Sequence, residues 1–184
     1  EPPQDVDYPS EQETSEEHDG REKEEEDREN EEEEEDEEDD EEAEATITVR
    51  TDPWDATGFG LKPIVQRLKQ VYRDQIEVEY EMVPVRSFED TERQRERWAE
   101  NAELHGMPVE TSVWTDNPPN SSETSNSAFR AAQELNADGA EDYLHRLWLN
   151  SVVRGRNIED EETLVKLASE SGYDPELFEE ILEE

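Results

Sequence analysis

The sequence predicts an α/β chain: one strand–helix–strand unit, then helices only, preceded by an acidic leader. Three observations carry that expectation. Apolar residues alternate over 46–50 and 76–82, fall on one helical face over 64–72 between them, and show only helical spacing after Val85.

The leader comes first. Residues 1–45 hold 27 of the 57 acidic residues and 3 of the 17 basic ones, a net charge of −24. Only Val6, Tyr8, Ala43 and Ala45 are apolar or aromatic there. Like charges four residues apart oppose a helix, and a segment with so little to bury cannot offset its ordering entropy. The leader is therefore predicted to be disordered, a solvating tail rather than a grip for a basic partner. The other 139 residues carry −16 together with all four Trp and all four Phe, so the folded part lies there.

Composition also excludes. The chain has no cysteine, which removes disulfides, thiol catalysis and Cys-ligated zinc. No apolar run approaches the roughly 18 residues that cross a bilayer. A net charge of −40 repels nucleic acid and anionic membranes alike, so neither is an expected partner. A cytoplasmic location is expected. Acidic residues spread along helix faces fit a protein from concentrated salt, where screening is short-ranged.

The ordered elements follow in turn. Thr46–Arg50 reads as a strand with Ile47 and Val49 on one face. Ile64, Val65, Leu68, Val71 and Tyr72 share a helical face, with Pro63 at the first turn, where its missing N–H is harmless. In the next strand, Ile76, Val78, Tyr80 and Met82 point one way and Glu77, Glu79 and Glu81 the other, so it is expected to be covered on one side only. A parallel βαβ unit results. Beyond it, Asp90 caps a helix that stops at Gly106, and 107–122 is a Pro- and Ser-rich loop. A helix follows the Ser/Thr/Asn cluster at 121–126, and the next stacks Tyr143, Leu144, Leu147, Trp148 and Val152. The last two are capped by Asp160 and Asp174, with Leu177, Phe178, Ile181 and Leu182 facing inward. The expected divisions are a leader at 1–45, a βαβ half at 46–86 and a helical region at 87–184.

The turn Asp52-Pro53-Trp54-Asp55-Ala56-Thr57-Gly58-Phe59-Gly60-Leu61-Lys62-Pro63 resembles the redox turn of the DsbA-like thioredoxin-fold family, in the branch related to FrnE and the hydroxychromene-carboxylate isomerases. Asp52, Pro53, Gly60 and Pro63 match in register, and Asp55 and Gly58 fill the two cysteine slots. Residues 106–133 resemble the loop and helix walling that family's cleft, and 155–182 its helical insertion. The resemblance implies a thioredoxin-like βαβ unit with a mainly helical insertion domain, derived from thiol–disulfide oxidoreductases. It also implies a cis-proline loop, two antiparallel strands and a closing helix after the insertion. The expectation is a truncated copy, or strands supplied by a partner chain.

The same resemblance points to Pro53, Trp54, Thr57, Phe59 and Trp114 as residues around a cleft for a polypeptide or a small thiol ligand. No catalytic residue, cofactor or metal is expected. Asp55 reads as a cap, with a general base as the alternative. Thr57 lacks a neighbouring base in sequence. His105 suits a helix C-terminus, His145 a packed or surface position, and Arg93, Arg95 and Arg97 are interleaved with acids that pair them. The leading reading is a noncatalytic DsbA-like protein. A glutathione-dependent isomerase or transferase and an acidic interaction module stand as alternatives.

Overall fold

The computed structural model describes residues 43–183. The disorder expected of the leader, and His18 with it, falls on residues 1–42, outside that range.

Strand β1 (Ala45–Thr51) pairs in parallel with β2 (Ile76–Met82), Ala45 opposite Ile76 and Thr51 opposite Met82. Helix α1 (Ala56–Tyr72) connects them. The pleat works as the alternation predicts. Glu77, Glu79 and Glu81 are exposed, while Ile47, Val49, Val78 and Tyr80 are half-buried. Burial deepens along the strands, to 3% exposure at Thr51 and 8% at Met82. The core therefore sits at the carboxyl end of the sheet, where the helices pack.

Helix α1 begins at Ala56, well before the position that Pro63 suggests, and Pro63 lies inside it. Asp55 is its N-cap, and the Asp55 carbonyl accepts the first helical bond, from the Phe59 N–H, at 3.1 Å. A proline there removes one helical bond, so packing of the first turns must hold the helix. Ala56, Gly58, Lys62 and Val65 are the buried positions. Of the face expected to pack, only Val65 is buried and Leu68 half-buried; Ile64 and Val71 are 55% and 63% exposed. The later turns of the helix run past what a two-stranded sheet can cover.

The remaining helices are α2 (Thr91–His105), α3 (Val113–Asp116), α4 (Glu123–Leu135), α5 (Ala137–Trp148), α6 (Glu161–Ser169) and α7 (Pro175–Leu182). The expected caps form: Asp90 accepts from the Arg93 N–H, Asp160 from that of Thr163, and Asp174 from those of Glu176 and Leu177. Gly106 ends α2 with φ of 61°, a left-handed conformation glycine adopts without strain. Two features depart from expectation. The 107–122 loop contains α3, a single turn that buries Val113 and Trp114. Beyond α5 the helix widens into a π turn over Leu149–Val153. In α7, Phe178 is fully buried but Leu177 is 52% exposed. A helix of two turns resting on one ring cannot bury both.

A single apolar cluster joins Trp54, Ala56 and Met82 of the βαβ unit to the helices after it. Among the described residues no helix is long and apolar enough to cross a membrane.

Candidate functional site

Parallel α/β units offer ligands a crevice beyond the carboxyl ends of their strands. Here a cleft of about 270 Å³ opens at that place. The end of β1 and the Asp52–Asp55 turn form one wall, Val83 and Val85 after β2 the next, and Gln94, Arg97, Trp98 and Asn101 of α2 the third. Aromatic rings underlie it. Trp54 stacks on Trp98 at 6.3 Å between centroids, and Trp114 meets Trp54 at 5.8 Å and Phe88 at 5.1 Å.

The turn is fixed by one buried carboxylate. Asp52 is 7% exposed and accepts from the Trp54 N–H at 2.7 Å, from Asn126 Nδ2 at 2.9 Å and from the Ser122 hydroxyl. Its carbonyl accepts from Trp148 Nε1 at 3.0 Å, and the Pro53 carbonyl from the Ser151 hydroxyl at 2.7 Å. Ser151 stands in the π turn, and such widened turns re-aim side chains. The backbone closes the same junction, Ser122 N–H donating to the Val85 carbonyl at 2.9 Å. Burial pushes the Asp52 carboxyl above its ordinary range, against the pull of the Ser122, Asn126 and Trp54 hydrogen bonds. Although the turn match includes Asp52, nothing in the sequence shows this role, because its partners lie 70 and 74 residues away.

Asp55, which the turn resemblance puts in the first cysteine slot, stands at the mouth of the crossover. One oxygen accepts from the Thr57 N–H at 2.9 Å and the other from the Thr51 hydroxyl at 3.2 Å. That is a helix cap. The Thr57 hydroxyl donates to Asn101 Oδ1 at 3.0 Å. An amide oxygen orients that proton but cannot take it, so no base activates Thr57.

Gly58, which the turn resemblance puts in the second slot, is buried. A Cβ built there would lie 2.1 Å from Thr51 Oγ1 and 3.0 Å from Asp55 Oδ2. The Thr51 hydroxyl, at the end of β1, occupies the space in which a Cβ would stand.

The residues expected around one cleft separate. Trp54 and Asp55 line it, and Thr57 reaches its wall through Asn101. Pro53 is buried against Ser151. Trp114, 2% exposed, supports the cleft from below. Phe59 lies elsewhere, against His145 and Trp148. Arg95 takes up Glu92 as expected, but Arg97 faces the cleft with no ion pair among the described residues. No group of three His, Asp or Glu among those residues is placed to hold a metal ion.

Two outcomes follow from this geometry. Gly58→Ala is expected to lose about 2 kcal/mol by overpacking. In a Thr51→Ala background the same change should become neutral or slightly favourable, since alanine is the better helix former. Denaturant midpoints around that cycle report the coupling, and additive effects would mean Thr51 is not what keeps the glycine. For Asp52, a raised carboxyl favours the protonated folded state. Its contribution is complete below the unfolded value and is lost as pH rises through the folded one. The stability advantage of the wild type over Asp52→Ala, about 3 kcal/mol for the hydrogen bonds broken, should therefore grow as pH falls from neutral. Urea titrations at several pH values measure it.

Comparison with known proteins agrees with the geometry. A family model described as thioredoxin matches residues 49–183. Among solved structures, a protein from Nitrosomonas europaea assigned as a protein disulfide isomerase superposes with TM-score 0.67 at 14% identity, covering 76% of this chain and 70% of that one. The cytosolic disulfide reductase DsbM from Pseudomonas aeruginosa gives TM-score 0.61 at 23% identity, covering 75% and 69%. A protein from Streptomyces coelicolor assigned as a DsbA oxidoreductase gives 0.60 at 16%, covering 76% and 68%. No curated protein sequence matches. The chain belongs to the thioredoxin family, has the DsbA-like fold, and carries no cysteine.

Proposed function

We propose that this chain is a noncatalytic DsbA-like binding module that takes an extended polypeptide segment in the cleft at the carboxyl ends of β1 and β2. The observation that carries the reading is Gly58. A Cβ at this position, which the turn resemblance makes the second thiol slot, would collide with the Thr51 hydroxyl, and a cleft lies beside it. Several features suit a peptide. Val83 and Val85 are 50% and 37% exposed along one wall. Half-buried Phe88 gives the cleft an apolar side above the buried Trp54 and Trp98 rings, and Arg97 offers a guanidinium with no ion pair among the described residues. Trp54, Trp98 and Trp114 also make the site spectroscopically visible. Adding an unfolded, cysteine-free polypeptide is expected to shift tryptophan emission saturably in the wild type, with affinity weakened roughly tenfold by Arg97→Glu. Insulin reduction should stay at the buffer rate. An unchanged spectrum would remove the peptide, and turnover of insulin would remove the noncatalytic assignment.

The acidic surface extends the reading to a chain adapted to concentrated salt. Exposed Glu77 and Glu79 line one face of β2 without an ion pair among the described residues. The expected behaviour is a thermal midpoint that climbs as potassium chloride is raised to molar levels; a flat or falling midpoint would oppose it. The cytoplasm, the compartment named for DsbM, is the proposed location, and the Asp52-Pro53, Gly60 and Pro63 register supports the branch related to FrnE.

A further inference from the structure

A second cleft, of about 340 Å³, lies between α1, the end of α2 and α5, and shares no lining residue with the first. Phe59, Pro63 and Met107 give it apolar walls. Its polar groups are Lys62, Gln66, His105, Asp142 and His145. Three of them have polar atoms without a partner among the described residues.

Lys62 is 7% exposed, yet no hydrogen bond or ion pair holds its ammonium among the described residues. The acid that would serve is already taken. Glu141 receives Lys69 at 2.5 Å and the Tyr80 hydroxyl at 3.4 Å. The two histidines add unspent hydrogen-bonding capacity. His105 Nε2 and His145 Nδ1 are both buried without a partner among the described residues.

The rings are nevertheless held in place. His145 lies flat on Phe59, with centroids 6.2 Å apart and planes at 18°. His105 is admitted by Gly60, where a Cβ would sit 2.7 Å from the ring. Burial first, and the Lys62 charge second, keep the His145 imidazole below its ordinary range; Asp142 and Glu141 pull the other way and Arg146 adds to the lowering. Burial also lowers the Lys62 ammonium, opposed by Glu141 and Asp142. The cleft thus presents one ammonium without a partner among the described residues and an apolar wall, with two partnerless imidazole nitrogens buried beside it. Exposed Asp142 also lines it and supplies the opposing charge.

We infer that the cleft lined by Lys62, His105 and His145 binds a small organic monocarboxylate through its carboxylate, with the apolar part of the ligand against Phe59, Pro63 and Met107. A single cation at the cleft wall matches one negative charge, and Asp142 disfavours a second. A phosphate dianion would leave the apolar walls unused. The inference is independent of peptide binding at the first cleft.

The full chain has three histidines, His18, His105 and His145, so its imidazole NMR spectrum contains its own control. Sodium benzoate is the probe, with sodium chloride and sodium phosphate at equal concentration as comparisons. Benzoate is expected to shift His105 and His145 saturably and leave His18 where chloride puts it. Lys62→Met, which keeps the buried stem, should weaken binding roughly tenfold or more, the worth of a charge-assisted hydrogen bond. Asp142→Asn, an exposed substitution that tests the same field should Lys62→Met not fold, should tighten it roughly twofold. No saturable shift with benzoate, an Asp142→Asn affinity equal to or below that of the wild type, or a folded Lys62→Met with unchanged affinity would overturn the site. Phosphate acting as strongly as benzoate would overturn the carboxylate.

Discussion

The fold hangs on one buried carboxyl group. Asp52 follows the first strand, and its side chain gathers the Trp54 N–H, the Ser122 hydroxyl and the Asn126 amide at a point with almost no access to water. A two-stranded sheet is marginal by itself, and its inward face is only half covered. What anchors it is the junction at its carboxyl end, where the start of α4, Trp148 and Ser151 all take hold of a turn four residues long. Buried polar networks of this kind are costly when incomplete and specific when satisfied. The junction ties sheet to helices there, because the three donors share one acceptor.

That junction also explains why the cleft keeps its shape. The Asp52–Asp55 turn is bound from behind through two of its carbonyls and capped in front by Asp55. Its aromatic floor packs ring on ring. Helix α1 pays for these contacts in helix propensity, carrying Gly58 and Gly60 in its early turns, each about 1 kcal/mol poorer than alanine. Each glycine marks a place where something else comes close: Thr51 at the first, the His105 ring at the second.

How much of this could be read from the residues depends on the range of the forces involved. The strands were legible because alternation is local, and Glu77, Glu79 and Glu81 stand outward as their spacing requires. Asp90, Asp160 and Asp174 cap as expected because a cap is settled within three residues. The start of α1 was misread because Pro63 is a good local start signal, and two glycines before it argue against a helix that only tertiary packing sustains. The π turn at Leu149–Val153 and the one-turn α3 have no periodic signature. The partners of Asp52 and the isolation of Lys62 are long-range facts. A single sequence shows that Ser122, Asn126 and Lys62 exist, but not what they face.

The close approach of Thr51 to Gly58 ties one residue's size to another's hydrogen bond. A Cβ at position 58 would stand 2.1 Å from a hydroxyl that also donates to Asp55, so any larger residue there has to displace the contact that steadies the helix cap. Strand end, glycine and cap thus behave as one unit, and a change at any of the three is felt by the other two.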